Sequence, residues 1–412
     1  MPERVVITGM GAITPLGHNV ADTWKGILEG VSGVGPITRF DASDFLVKIA
    51  CEVKNYKPTD FMEAREARRR DAFEQYAMIA AQQALEHSGL QITPENAGRV
   101  GVLVSAAIGG LEAIEYAVEV LNASGPRRLS PFVIPMLMPN GACGLIGIET
   151  GAKGPTFSIA AACASGSDAI GMSWTLIRAG VIDAAIAGAA EATVTPIGVG
   201  SFDRLNAMSR RNDDYSNTPQ PFDRDRDGLV MGEGSGVIIL ESESHARARG
   251  AEIFAELAGY ASTADAFHVT APAEDGAGGA AAMRLALQNA SIRPDQVDYI
   301  NAHGTATPLN DVSETRAIKA AFGEQAYKIP ISSTKSMTGH MMGATGAVEA
   351  IFCVHAVREN VVPPTIHYHT PDPECDLDYI PNEARQKPVE VAMSNSFGFG
   401  GHNSVLVIRK YR

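Results

Sequence analysis

Cys163 is the residue of this sequence best placed to act as a covalent nucleophile. It lies in the segment 158–167, SIAAACASGS, where an apolar stretch gives way to very small residues and then to a predicted helix. Small neighbours allow a tight turn that exposes one side chain, and the N-terminus of a helix stabilises a thiolate. This pattern is typical of a nucleophile elbow. The alternative is a structural cysteine, because free cysteines are usually buried.

Two histidines and a lysine lie in comparable positions, at the ends of predicted strands. His303 follows a strand at Tyr299, in a polar loop that contains glycine. Lys335 and His340 follow a strand over 329–333, on another turn that contains glycine. Each histidine alone is typical of an ordinary loop. Together with the cysteine, they predict a shared site for nucleophilic catalysis.

A glycine-rich segment lies near the C-terminus, over residues 395–403 (NSFGFGGHN), before a strand over 404–408. An ordinary turn would explain the glycines. The two phenylalanines between them favour a mobile apolar flap that could gate a hydrophobic substrate.

Composition excludes several classes of protein. The chain has 412 residues, 45% of them hydrophobic and 20% charged, and a formal net charge of −13. These values are typical of a globular protein and argue against non-specific nucleic-acid binding. We expect no membrane insertion and no signal peptide, because no apolar run is long enough and the first residues lead directly into a strand. The five cysteines are far apart, which predicts neither disulfides nor a zinc ribbon and favours the cytoplasm.

One local cluster of positive charge stands out against this acidic background. Arg65, Arg68 and Arg69 lie at the start of a predicted helix. Such a cluster is often only a solvated face, but here it could also bind a small acidic partner.

Short strands alternate with longer helices, which predicts an α/β fold. We expect strands over 5–9, 99–105, 157–162 and 183–189, and helices over 71–87 and 165–180. The helix, proline and strand order of residues 84–100 recurs at 286–299, and Ile7-Thr8-Gly9 recurs as Leu257-Ala258-Gly259. Two such matches in the same order predict a duplicated unit with halves of about 200 residues.

These segments, together with the order of Pro221-Phe222-Asp223 and Gly232-Glu233-Gly234, resemble the β-ketoacyl-[acyl carrier protein] synthases over nearly the whole chain. The resemblance implies the thiolase-like fold: duplicated βαβαβαββ halves in five layers, α-β-α-β-α. It also implies an N-terminal half over 1–250, a C-terminal half over 251–412, and a homodimer.

The same resemblance implies the roles of the candidate site residues. Cys163 would accept the acyl group, and His303 and His340 would assist decarboxylation of malonyl-carrier protein. The backbone N–H groups of Cys163 and Phe399 would form the oxyanion hole, and Lys335 would act electrostatically. Further positions are implied for support, substrate binding, the gate and carrier docking: Glu349 beside the lysine; His268, Thr270, Thr305 and Thr307 along the phosphopantetheine tunnel; Ile108 at the bottom of the acyl pocket; Phe399 with Gly398 and Gly400 at the gate; and Arg65, Arg68 and Arg69 at the docking patch.

The implied reaction is a decarboxylative Claisen condensation in fatty-acid elongation, with acyl carrier protein as partner. No metal and no cofactor is expected, since the phosphopantetheine arrives on the carrier. A ketosynthase of a specialised polyene or polyketide pathway and a non-catalytic partner subunit are the alternatives. The chain departs from the common family pattern at Ala161, Asn206 and His402.

Overall fold

The computed structural model describes residues 3–412. Its β-strands are β1 (Val5–Ile13), β2 (Gly35–Pro36), β3 (Ile49–Ala50), β4 (Val100–Ser105), β5 (Ala184–Glu191), β6 (Gly234–Ser242), β7 (Ala255–Ala264), β8 (Tyr299–Asn301), β9 (Ile331–Ser332), β10 (Val361–Val362), β11 (Arg385–Gln386), β12 (Val391–Gly398) and β13 (His402–Arg409). Its α-helices are α1 (Val20–Leu28), α2 (Ala64–Ala67), α3 (Ala72–Ser88), α4 (Leu111–Ser124), α5 (Val133–Leu137), α6 (Gly141–Thr150), α7 (Ser165–Arg178), α8 (Pro196–Arg204), α9 (Glu243–Ala248), α10 (Ala277–Ala290), α11 (Pro308–Phe322), α12 (Lys335–Thr338) and α13 (Thr345–Glu359).

The predicted strands at the start of the chain and around residues 100 and 185 are confirmed, as are the two predicted helices. Helix α3 shows why its ends could be predicted. The side chain of Asp71 accepts the backbone N–H of Phe73, Glu74 completes a capping box, and Gly89 ends the helix with a φ of 63°.

Two predictions about local structure are wrong. The segment 157–162 is not a strand, because only Thr156 forms a bridge, to Val102, and the N–H of Ile159 bonds to the hydroxyl of Ser105 instead of a strand carbonyl. The glycine-rich loop is also shorter than expected. Strands β12 and β13 pair as far as Gly398 and His402, so that only three residues remain in the turn.

The sheet shows the predicted duplication directly. Its order is β4-β5-β6-β1-β7-β13-β12-β8-β9. Outward from the centre, the first half has the order β1, β6, β5, β4, and the second half has the order β7, β13, β12, β8. If the bridge at Thr156 counts as the third strand of the first half, each order reads first, fifth, fourth and second strand of its half. The fifth strand is antiparallel to its neighbours in both halves.

A shared packing contact explains why the sequence echo falls where it does. A Cβ at Gly9 in β1 would lie 2.2 Å from the carbonyl oxygen of Ala84 in α3. A Cβ at Gly259 in β7 would lie 2.4 Å from the carbonyl oxygen of Ala286 in α10. In each half, the first strand lies so close to its helix that only glycine fits.

Helices cover both faces of the sheet and also fill the space between the halves. Helices α3 and α6 pack on the first half, and α10 and α11 pack on the second. Helices α7 and α13 contact strands of both halves and form the middle layer. The two halves join where Val5–Ile7 pairs with Ala255–Leu257. This arrangement agrees with the predicted five-layer, thiolase-like fold. No helix within residues 3–412 has the length and apolar character needed to cross a membrane.

Candidate active site

Cys163 lies at a strained turn directly before helix α7. A single 3₁₀ turn over Ala162–Ala164 leads into the helix, and Ala162 adopts a φ of 48°, which is unusual for a residue with a Cβ. Cys163 as a whole residue is 9% exposed. The predicted tight turn before the helix is therefore present, and Cys163 lines a cavity.

The two histidines come from the other half of the fold and converge on this thiol. Nε2 of His340 lies 3.1 Å from Sγ of Cys163, and its Nδ1 lies 3.1 Å from the hydroxyl of Thr345. The ring of His303 lies edge-on to that of His340, with centroids 5.4 Å apart. Strands β12, β8 and β9 are parallel neighbours, so their carboxyl ends bring these loops to one edge of the sheet.

The sulfur and one nitrogen of each histidine all lie within 4.8 Å of one another. This donor set is one that zinc prefers. The buried ammonium of Lys335 opposes a second cation there, since its charge already lowers the pKa of both histidines.

Burial keeps the side chains of Cys163, His303 and His340 neutral near pH 7. It raises the pKa of the Cys163 thiol to about 11, although Lys335 and the backbone N–H groups of Phe399 and Cys163 lower it. Burial and then Lys335 lower the pKa of His340 to about 3 and that of His303 well below its usual value. Neutral imidazoles can accept a proton from the thiol or donate a hydrogen bond to a carbonyl oxygen.

Lys335 and Glu349 form a fully buried ion pair behind the histidines. Nζ of Lys335 lies 2.7 Å from Oε1 of Glu349, and each side chain is 1% exposed. Thr334 donates a hydrogen bond of 3.3 Å to the same oxygen. Burial raises the pKa of Glu349 to about 7, while Lys335 lowers it. The pair places a fixed positive charge close to the site without adding a group that faces the cavity.

The end of strand β12 lies directly against the nucleophile loop. A Cβ at Gly398 would be 2.9 Å from the carbonyl oxygen of Ala161 and 3.0 Å from the nitrogen of Cys163. This approach brings the N–H of Phe399 beside that of Cys163, and both N–H groups lower the pKa of the thiol against the larger opposing effect of burial. Two backbone donors directed at one point have the geometry of an oxyanion hole. The ring of Phe399 stacks on Phe202, with centroids 6.1 Å apart.

The cavity above Cys163 contains most of the predicted substrate-binding residues. Thr270, Thr305, Thr307, Gly398 and Phe399 line it together with both histidines. Three predicted positions lie outside its wall. His268 is exposed, and its Nδ1 accepts the N–H groups of Thr270 and Ala271. Gly400 lies on the outer side of the turn, where its N–H bonds to the carbonyl oxygen of Val269. Ile108 is 37% exposed on another face.

The predicted docking arginines lie on and just after the short helix α2. Arg65 and Arg68 are exposed, whereas Arg69 is partly covered by stacking over the ring of Phe132 at 4.7 Å. The cluster is therefore open to a partner mainly through its first two members.

Two buried carboxylates that hold the site were not predicted from the sequence. Glu314 accepts the backbone N–H groups of His303, at 2.8 Å, and Gly304, at 2.7 Å. Glu191 accepts N–H groups from the loop after β4 and from Gly343. No local pattern identified Glu314. An acidic residue that ends an otherwise apolar strand was a usable signal for Glu191.

Comparisons with known proteins agree with this geometry. The family model described as Beta-ketoacyl synthase, N-terminal domain, matches residues 2–246, and that described as Beta-ketoacyl synthase, C-terminal domain, matches residues 254–369. The 3-oxoacyl-[acyl-carrier-protein] synthase 2 of Synechocystis sp. is 52% identical over 410 residues, covering 100% of this chain and 99% of that protein. The protein of the same name from Staphylococcus aureus (strain COL) is 49% identical over 409 residues, covering 99% of each.

Solved structures show the same fold. A beta-ketoacyl synthase from Burkholderia phymatum superposes with a TM-score of 0.91 at 36% identity, covering 100% of both chains. A chain from a type II PKS acyl-carrier protein in complex with its ketosynthase superposes with a TM-score of 0.92 at 37% identity, again covering 100% of both.

Proposed function

Because this chain belongs to the β-ketoacyl synthase family, we propose that it condenses acyl-carrier protein with malonyl-carrier protein to give 3-oxoacyl-carrier protein in fatty-acid elongation. The observation that carries the proposal is the contact of 3.1 Å between Nε2 of His340 and Sγ of Cys163, with His303 beside them in one cavity. This acyltransferase would use no cofactor of its own, because the phosphopantetheine group is attached to the carrier protein and arrives with it.

In the first half-reaction, the Cys163 sulfur attacks the thioester carbonyl of the acyl-carrier protein. His340 can accept the thiol proton at Nε2, because its Nδ1 can donate to Thr345. The N–H groups of Cys163 and Phe399 stabilise the oxygen as it becomes negative. The carrier thiolate leaves and takes up the proton, so the acyl group stays on Cys163 and both histidines are neutral again.

In the second half-reaction, the malonyl thioester carbonyl accepts hydrogen bonds from His303 and from Nε2–H of His340. His340 is then in its other neutral tautomer, in which Nδ1 accepts a hydrogen bond from the hydroxyl of Thr345. Carbon dioxide leaves, and the electron pair of the broken bond forms an enolate whose negative oxygen these donors stabilise. The charge of Lys335 stabilises the same anion over a longer distance. The enolate carbon attacks the acyl carbonyl, and the Cys163 thiolate leaves as the 3-oxoacyl-carrier protein forms. The thiolate then takes up a proton from solvent and returns to the neutral thiol.

We propose an acyl carrier protein as the partner, docking at Arg65, Arg68 and Arg69. The exposed guanidinium groups would attract an acidic partner although the whole chain is acidic. Thr270, Thr305 and Thr307 would contact the phosphopantetheine arm along the cavity, with His268 and Gly400 at its outer rim. A structural neighbour solved with its acyl-carrier protein supports this choice of partner.

We also propose a homodimer, because an apolar face remains open beside the acyl pocket. Thr156 pairs with Val102 on one side, and no residue within 3–412 pairs with it on the other side. Large apolar side chains on and near this face are exposed: Ile108, Ile134, Met138, Ile148 and Phe157. A second copy would cover them and close the pocket floor at Ile108.

The division into halves at 250 and 251 and a cytoplasmic location stay predictions. Five free, buried cysteines support the cytoplasmic location.

The test is intact mass spectrometry of the protein mixed with dodecanoyl-carrier protein and then chased with malonyl-carrier protein. We expect a dodecanoyl adduct that is absent from Cys163→Ala and that disappears as 3-oxotetradecanoyl-carrier protein forms. His303→Ala should slow the chase more than the loading. An adduct that persists through the chase contradicts the condensation. Absence of any adduct with dodecanoyl and shorter chains would favour a specialised pathway or a non-catalytic subunit.

A further inference from the structure

The segment Pro221-Phe222-Asp223 contains a strained aromatic residue that packs against the loop of a catalytic histidine. Phe222 is 0% exposed, and its φ is 64°, a left-handed conformation that is rare for a bulky residue. Such strain persists only where the surrounding structure holds it, and it is concentrated at functional sites. The contacts of Phe222 therefore indicate what this residue holds in place.

Contacts to two neighbours keep Phe222 in this conformation. Its backbone N–H donates a hydrogen bond of 2.7 Å to Oδ2 of Asp311, a side chain that is 0% exposed. Its ring stacks on the ring of Tyr379, with centroids 3.9 Å apart and planes 11° from parallel. The hydroxyl of Tyr379 lies 2.6 Å from that of Thr315, which belongs to helix α11 like Asp311. The backbone and the ring of Phe222 are therefore both fixed.

The outer end of the ring faces Gly304, which directly follows His303. A Cβ at Gly304 would lie 2.8 Å from Cε2 of Phe222 and 3.0 Å from its Cζ, so the ring occupies the space that a side chain would need. Glu314 accepts the N–H of Gly304 at 2.7 Å, and the hydroxyl of Ser333 donates to its carbonyl oxygen at 2.6 Å. Two hydrogen bonds and one aromatic contact thus define the position of the backbone beside His303.

We infer that Phe222 is a positioning residue that fixes Gly304 and thereby orients the imidazole of His303 toward the malonyl thioester carbonyl. This inference rests on the proposed condensation, in which His303 stabilises the enolate. Phe222 does not line the cavity, so it acts through Gly304. A hydrogen bond weakens outside a narrow range of distance and angle, so a displaced backbone at Gly304 slows decarboxylation. The contact of 3.1 Å between His340 and Cys163 does not involve Gly304 and should remain.

The experiment measures the two half-reactions separately in Phe222→Leu. Leucine has the same φ to adopt but lacks the outer ring carbons that face Gly304, so a space opens beside the glycine. Acyl loading, followed by rapid-quench intact mass spectrometry, should stay within about twofold of the wild-type rate. The verified acyl-enzyme is then mixed with saturating malonyl-carrier protein, and its single-turnover release of carbon dioxide should slow about tenfold or more. Phe222→Met, whose flexible side chain fills irregular gaps and reaches as far as the ring, should release carbon dioxide within about threefold of the wild-type rate.

Phe73→Leu is the matched control. Phe73 is also 0% exposed and lies in the hydrophobic core of the first half, on helix α3. This variant should lower the thermal unfolding midpoint, as Phe222→Leu does, while both half-reactions keep their wild-type rates. If Phe222→Leu does not fold, Tyr379→Leu takes its place: it removes the ring on which Phe222 stacks, and it should slow carbon dioxide release about threefold or more without slowing acyl loading.

Several results would overturn the inference. It is wrong if folded Phe222→Leu releases carbon dioxide within about twofold of the wild-type rate, if it slows loading as much as release, or if Phe222→Met is no faster than Phe222→Leu. It is also wrong if Phe73→Leu slows release alone, or if Tyr379→Leu, used in place of an unfolded Phe222→Leu, slows neither half-reaction or both equally. Failure of the proposed function is distinct, because the wild-type acyl-enzyme would then release neither carbon dioxide nor a 3-oxoacyl product.

Discussion

Replacing Gly398 with alanine should damage the oxyanion hole without removing any catalytic group. Gly398 does not have a left-handed φ, so alanine adds no backbone strain there. Its Cβ would lie 2.9 Å from the carbonyl oxygen of Ala161 and 3.0 Å from the nitrogen of Cys163, whereas ordinary contacts begin at 3.4 Å. The end of the hairpin must therefore move away by about 0.4–0.5 Å, the difference between these values, in an interior with little free space.

A movement of this size takes the N–H of Phe399 out of the narrow range in which it can stabilise an oxyanion. Loss of one such donor costs roughly 10²–10³-fold in rate, or about 2.7–4 kcal/mol of transition-state stabilisation. Overpacking should destabilise the fold by about 1–3 kcal/mol. The rate effect is thus larger than the stability effect, and the variant should remain folded at 25 °C.

The assay is rapid-quench intact mass spectrometry of acyl-Cys163 formation, combined with a urea unfolding curve. Gly98→Ala is the matched control, because Gly98 is exposed and no neighbouring atom lies within 4 Å of its added Cβ. It should load at the wild-type rate and gain about 0.4–1 kcal/mol, because alanine restricts the unfolded chain more than glycine does. If folded Gly398→Ala acylates within threefold of the wild-type rate, the backbone donors are not the oxyanion hole.

Three further outcomes are expected. Because burial raises the pKa of the Cys163 thiol to about 11, its thiolate fraction and its alkylation by iodoacetamide should increase about tenfold per pH unit from pH 7 to 10; a plateau below pH 9 would contradict this. Lys335→Met should lower the free energy of unfolding by about 3–5 kcal/mol at pH 8, since it leaves Glu349 buried without its cation. The loss should be smaller at pH 6, because burial raises the pKa of Glu349 to about 7 beside Lys335 and removal of Lys335 raises it further, so the carboxyl is then protonated and uncharged; an equal loss at both pH values would refute the reasoning. Arg65→Glu with Arg68→Glu should raise KM for the carrier about tenfold at low salt with little change in kcat, and an unchanged KM would exclude these residues from docking.

The features that could be predicted from the sequence are those encoded over short distances. The small residues around Cys163 force the tight turn before α7, and the loops at His303 and His340 each follow a short apolar strand. The echo between Gly9 and Gly259 predicted the duplication, because the same close contact between strand and helix is needed in both halves.

The features of the fold and of the site that could not be predicted depend on contacts between residues that are distant along the chain. Residues 157–162 are as apolar as a strand, but pairing stops after Thr156, so local preference alone gave a wrong prediction. Phe397 was expected in a flap, yet it lies in β12 with its ring 5.8 Å from His303. Glu314 belongs to the site only because α11 packs beneath the His303 loop, and nothing near it in the sequence indicates this contact.

The duplication explains why the nucleophile and its histidines come from opposite halves. Parallel strands place their carboxyl ends on one edge, so β8, β9 and β12 deliver His303, Lys335 and Phe399 to the same place. The first half contributes the N-terminus of α7, where the first backbone N–H groups of the helix have no partner within the helix. Close contact between these two surfaces requires small residues on both sides, and Gly398 and Ala162 provide them. In the proposed reaction, the first half of the fold thus carries the covalent attachment and the second half carries the groups that stabilise the enolate, while their packing keeps both within reach of one thioester.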